Sequence, residues 1–171
     1  MDTLQDLMIE YKNQLTKGVI NKAYKGLMEY IMGLRTHFQS SCPEYSVSGN
    51  IYYGYMDMTY FSIVPKSLKD RGLKIAIVFL HEAFRFEIWL SGYNKQVQTK
   101  YWKYFKENDW TKYHLVQSTK GADSILEYVV VDNPDFQDLN ALTKQIVNGA
   151  LKFIIDVERF LSDHEKLIKP Q

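Results

Sequence analysis

The sequence predicts an α+β fold, an antiparallel sheet of about four to six strands packed against N-terminal helices and a long C-terminal helix. Three observations predict it. Apolar residues recur at helical spacing at both ends of the chain. Between Val47 and Leu90 the pattern changes to alternation with period two. The gaps between the alternating runs are short and polar, which makes hairpins, and so antiparallel pairing, the expected connection.

The elements follow in order. Leu4, Leu7, Met8, Tyr11 and Leu15 predict a first helix over 3–15, interrupted by Gly18. Ile20, Tyr24, Leu27, Ile31, Leu34 and Phe38 form the stripe of a second. It should end before Cys42-Pro43, because the residue before proline avoids helix. Val47, Gly49, Ile51, Tyr53 and Tyr55 alternate with polar neighbours, and a second run covers 58–64, so the two read as a hairpin. Pro65 ends it, and 66–72 reads as a polar connection. Residues 73–80 are nearly all apolar and suit a central strand. Over 83–90 the alternation sends Phe84, Phe86, Ile88 and Leu90 to one face and Arg85, Glu87 and Trp89 to the other. His81-Glu82 is then the turn. A third helix fits 94–106, followed by an extended stretch near 113–117 and a strand over 124–131. Asn133-Pro134 predicts a helix start, with asparagine as cap and proline in the first turn. Leu139, Leu142, Ile146, Ala150, Phe153, Val157 and Phe160 carry that helix to about residue 161.

At 171 residues the chain fits a single domain, 1–171, large enough to bury a core. Its 21 basic and 20 acidic side chains leave a formal net charge of +1, so the chain as a whole is not an electrostatic binder of nucleic acid or anionic membrane. The lone Cys42 offers no internal disulfide and no CxxC pair, which suits a reducing, cytoplasmic setting. Residues 1–12 carry Asp2, Asp6 and Glu10 without a long apolar run, so no secretory leader is expected. No apolar stretch approaches the roughly 20 residues of a membrane span.

Local motifs exclude several chemistries. His37, His81, His114 and His164 show no ligand spacing and no HExxH, so neither a metal nor another cofactor is expected. There is no GxxxxGK[ST], no GxGxxG and no GxSxG. The Arg85/Glu87 pair is more informative. If its face is solvated, it is ordinary charged surface. If a loop or helix covers it, the charges need partners and then often line a site. Tyr52, Tyr60 and Trp89 would supply aromatic walls beside Arg85 and Glu87, and these five are the candidate ligand-binding residues. The segment 94–113 is the nucleic-acid alternative. Lys95, Lys100 and Lys103 stand among aromatics, with Trp102 at the lysine edge where it could stack on a base. Glu107 and Asp109 dilute that patch, and a solvated lysine face is the plainer reading.

The stretch LKIAIVFLHEAFRFEIWLSGYNKQVQTKYWKYF, residues 73–105, resembles the signature region of an uncharacterised prokaryotic domain-of-unknown-function family. That resemblance implies a fold and no activity. The order of helix, strands, helix and strand is also similar to the PD-(D/E)xK nuclease core. There, carboxylates on adjacent strands hold a metal and a lysine positions the attacking water. Asp57 would be the first acid, but Glu82-Ala83-Phe84 and Glu87-Ile88-Trp89 both lack the lysine. The resemblance therefore implies an inactive relative or a similarity by chance, not an active nuclease.

The expectation is therefore a binding or interaction module using an aromatic and charged sheet face. The alternatives are a nucleic-acid-associated accessory domain, or a small-molecule enzyme with its acid and base among His81, Glu82, Glu87 and His114. The expected partner is a small ligand or a protein. Nucleic acid is less favoured, a homodimer is open, and no membrane partner is expected.

Overall fold

A computed structural model describes residues 3–166, which form two compact units divided between Thr36 and His37. The first holds α1 (Leu4–Thr16) and most of α2 (Val19–Ser41). A capping box starts α1: the Thr3 hydroxyl accepts from Asp6 N at 3.2 Å, and Asp6 Oδ2 accepts from Thr3 N at 2.9 Å. Gly18, with φ +71°, separates the helices. None of the α1 residues is buried, and Leu4, Leu7, Met8 and Tyr11 are exposed.

The second unit takes the last turn of α2 and everything after it. Its elements are β1 (Ser46–Val47), β2 (Met58–Val64), α3 (Lys66–Lys69), β3 (Leu73–Leu80), β4 (Arg85–Gly92), α4 (Lys95–Glu107), β5 (His114–Leu115), β6 (Leu126–Asp132) and α5 (Leu139–Lys166). The fold is α+β, with one antiparallel sheet in the order β1-β2-β3-β4-β6-β5. In β3 and β4, Ile75 opposes Leu90, Ile77 opposes Ile88 and Phe79 opposes Phe86, and all six are buried. Phe61 and Ile63 of β2 extend this apolar face. The long helix α5 packs on β4 and β6 and buries Leu142, Ile146, Ala150, Phe153, Val157 and Leu161. The other face carries Lys74, Ala76 and Val78 on β3, with Ser91, Trp89 and Glu87 opposite them on β4.

Several boundaries differ from the sequence expectation, each for a local reason. Residues 46–55 do not make one strand. After Val47 the chain leaves the ladder and returns only as a bridge between Tyr52 and Tyr60. Left-handed Gly54 (φ +67°) and Met56 (φ 61°) then turn it tightly into β2. Phe84 lies in the β3–β4 turn rather than in the strand. Its φ is 52°, and its ring packs on Phe79 and Phe136. Asn133 does not cap a helix, because it is left-handed (φ 48°). The helix starts after Asp138, whose carboxylate accepts from Ala141 N at 2.9 Å. Residues 66–69, expected as connection only, form a single helical turn.

Two of the contacts that hold α5 to its neighbours can be tested directly. Phe86 opposes Val131 and Glu87 opposes Val129, so Val130 is a bulge residue with no partner of its own on β4. It is buried over Gly149, where an added Cβ would lie 2.2 Å from Val130 Cγ2. Gly149→Ala should therefore lower the melting temperature in thermal unfolding, because overpacking costs about 1–3 kcal/mol. That outweighs the roughly 1 kcal/mol of helix propensity gained. In a Val130→Ala background the same change should become stabilising.

The second contact is Asp156, buried on α5. It accepts from Lys112 Nζ at 2.6 Å, Lys152 Nζ at 2.8 Å and Tyr113 OH at 2.7 Å. Burial pushes its pKa up, but these three hydrogen bonds outweigh burial and hold the carboxyl well below the usual range. A depressed acid contributes stability that is present above its unfolded pKa of about 3.9 and is lost as pH falls through the folded value. Urea unfolding should thus show wild type losing stability more steeply than Asp156→Asn below about pH 4. At pH 7 the variant should be less stable by roughly 1–3 kcal/mol, a modest figure because both lysines are solvated.

Candidate functional site

The polar face of the sheet holds the candidate site. Ala76 is its floor: on central β3 this small side chain lies between Ser62 on β2 and Trp89 on β4, and leaves a gap beside the indole. Tyr60 projects from β2, and Tyr52, bridged to it from the edge, stacks on it at 5.0 Å and 29°. Trp89 stands directly opposite Ala76 on β4. The result is a cleft of about 360 Å³, within the roughly 300–1,000 Å³ range of ligand sites. Lys74, Ser91, Tyr93, Lys95, Gln98 and Asp123 line the rest.

Glu87 fixes the Trp89 wall. Its side chain is nearly fully buried, and both oxygens are engaged. Oε1 accepts from Arg85 Nε at 2.7 Å and pairs with Nη2 at 2.6 Å, while Oε2 accepts from Trp89 Nε1 at 2.5 Å. The indole edge is thereby held toward Glu87, with its ring on the cleft. The rim is tied down by backbone carbonyls. Ser91 Oγ donates to Asp123 O at 2.7 Å, and Lys95 Nζ and Gln98 Nε2 donate to Ala122 O at 2.8 and 3.3 Å. Gln98 Oε1 accepts from Gly92 N at 2.7 Å. Burial raises the Tyr60 pKa, and nearby Tyr52 and the Asp123 carboxylate add to the rise, so the hydroxyl stays protonated beyond the ordinary tyrosine range.

Of the five candidate ligand-binding residues, Tyr52, Tyr60 and Trp89 line the cleft, and Arg85 and Glu87 stand behind it as support. From the nucleic-acid set only Lys95 reaches the cleft. Trp102 donates to Val116 O at 2.7 Å, and Lys106 Nζ lies 4.7 Å from its ring centre, so a neighbouring lysine occupies that ring. Lys100 sits over Tyr101, 5.3 Å from its ring centre, and Lys103 is exposed on α4. Lys74, Ala76, Ser91 and Asp123 were not singled out by sequence. Lys74 carried a signal, as a charge inside an apolar strand on the same alternation as Ala76. Asp123, on a loop, carried none.

The residues weighed for catalysis lie apart. Asp57 is exposed and accepts from Tyr55 N at 2.8 Å, Glu82 is exposed in the turn, and both Glu87 oxygens are taken. His81 Nε2 lies 2.8 Å from the Thr59 hydroxyl, which is fully buried, and burial lowers the His81 pKa against the opposing charge of Asp57. Among the described residues no cluster of three or more histidine, cysteine or acidic side chains could hold a metal ion.

Residues 4–161 match the family model described as a domain of unknown function, DUF7000. The chain belongs to the DUF7000 family. No curated protein and no solved structure matches it. No described helix of this DUF7000 domain is long and apolar enough to cross a membrane. Glu87→Ala in the DUF7000 domain should leave the Trp89 indole unanchored. Tryptophan emission should shift, and stability should fall by about 1–3 kcal/mol, since a buried hydrogen-bond partner is lost. Glu87→Gln, which keeps an acceptor for the indole N–H, should retain most of the emission spectrum.

Proposed function

We propose that this domain is a binding module and that a small ligand sits in the cleft over Ala76. The observation that carries this is the convergence of Tyr52, Tyr60 and Trp89, from three separate chain segments, around one small residue on the open sheet face. A pocket with aromatic walls and a few fixed polar groups is the usual form of a small-molecule site. The buried Glu87 supports the reading as well. It costs desolvation where an apolar residue would not, and its effect is to orient one wall of the cleft. The family match runs through both compact units, which favours a single domain. The lone buried Cys42 favours a reducing setting such as the cytoplasm.

A thermal-shift panel of amino acids, nucleotides, sugars, metals and short nucleic acids tests the reading. A ligand of the folded state should add about 2.7 kcal/mol at a hundredfold excess over its Kd. Trp89→Leu, folded by circular dichroism, should lose that shift. A shift that survives Trp89→Leu, or one given only by nucleic acid and abolished at Lys100 and Lys103, would displace the cleft as the site.

A further inference from the structure

The cleft's polar groups divide into those already bonded and those left open. Ser91, Gln98 and Lys95 are bonded to the loop carbonyls, and the Trp89 indole N–H to Glu87. Other lining groups remain open, and four of them matter here. Among the described residues the Lys74 ammonium has no hydrogen bond and no ion pair, only the Tyr93 ring 6.0 Å away. The Asp123 carboxylate and the hydroxyls of Tyr52 and Tyr60 likewise have no hydrogen-bond partner. One cation and one anion without a hydrogen-bond partner, Lys74 and Asp123, therefore face the same cavity, beside the Lys95 ammonium held on the Ala122 carbonyl.

The walls specify the body of the ligand. β2 and β4 flank β3 and lie about 9.6 Å apart, two strand spacings. Trp89 stands opposite Ala76 on one side, and on the other side Ser62 is opposite Ala76 with Tyr60 one pair along, opposite Val78. One flat ring between two aromatic walls needs about 7–8 Å, twice the carbon contact distance. A cavity of about 360 Å³ lined by Tyr52, Tyr60 and Trp89 has room for one such ring.

We propose that the cleft binds a small zwitterion bearing a flat ring, with its anionic group on Lys74, its cationic group on Asp123 and its ring between Trp89 and the stacked Tyr52–Tyr60 pair. This rests on the cleft being the ligand site. A neutral ligand would leave both charges without a counter-charge, and a singly charged ligand would leave one. The Tyr52 and Tyr60 hydroxyls accept from or donate to polar atoms on the ring.

Isothermal titration with four probes separates the terms: L-tryptophan (ring and both charges), tryptamine (no carboxylate), indole-3-propionate (no ammonium) and cellobiose (uncharged). L-Tryptophan should bind at least tenfold more tightly than each of the other three. Lys74→Gln should weaken L-tryptophan and indole-3-propionate about tenfold and leave tryptamine unchanged. Asp123→Asn should weaken L-tryptophan and tryptamine and leave indole-3-propionate unchanged. Both side chains are at least partly solvated and make no hydrogen bond within the fold, so both variants keep the fold. Cellobiose binding as tightly as L-tryptophan, or Kd values indifferent to both substitutions yet abolished by Trp89→Leu, would overturn the zwitterion and leave the cleft as the site. No heat from any probe would also overturn it. Binding of L-tryptophan that is unchanged by Trp89→Leu as well as by both charge variants would overturn the cleft reading too.

Discussion

The pairing of β3 with β4 decides which side chains share a face, and most of the molecule depends on it. With Ala76 opposite Trp89 and Ile77 opposite Ile88, the side chains of Ile75, Ile77, Phe79, Phe86, Ile88 and Leu90 share one buried apolar face. A slip of one residue in β4 would turn Arg85, Glu87 and Trp89 into that core and expose Phe86, Ile88 and Leu90. An unpaired carboxylate in an apolar core costs far more than any turn preference can offset. The register is therefore fixed by burial, and the four-residue turn with left-handed Phe84 conforms to it.

The same register builds the polar face. Glu87 is tolerated inside the protein because its neighbours two residues either side on the same strand face, Arg85 and Trp89, both donate to it. Residues two apart on a strand lie side by side, so one short segment supplies the carboxylate and all its partners. Its arrangement therefore needs no long-range assembly beyond the strand's own extension. The cleft does need assembly, because its floor, its two walls and its charged rim come from different elements.

The chain between α4 and β6 shows how irregular backbone is placed with accuracy. It has one strand of two residues, yet it is pinned at intervals. Trp110 Nε1 donates to Tyr113 O, and Lys112 and Tyr113 grip Asp156 on α5. Trp102 holds Val116, and Lys95, Gln98 and Ser91 hold Ala122 and Asp123. An aromatic cluster beneath it, with Phe105 stacked on Phe160 at 5.3 Å and Trp110 edge-on at 4.8 Å, joins α4 to α5. These anchors carry Asp123 back over β4 to the cleft.

The sequence by itself determined the α+β class, the helices at both ends, the strand periodicity and the split of Arg85, Glu87 and Trp89 from Phe86, Ile88 and Leu90. Each of these follows from local spacing and the need to bury one face. Three cleft residues, Tyr52, Tyr60 and Trp89, were also within its reach as aromatics on alternating runs. Only the tertiary structure decided that they meet over Ala76, that Lys74 and Asp123 join them, and that Arg85 and Glu87 stand behind the wall. It also decided that Asn133 turns left-handed instead of capping a helix and that Trp102 lies beneath Lys106. The physical reason is the same throughout. Period and propensity act over a few residues, whereas register across strands and the return of a loop are set by which distant surfaces can be buried together.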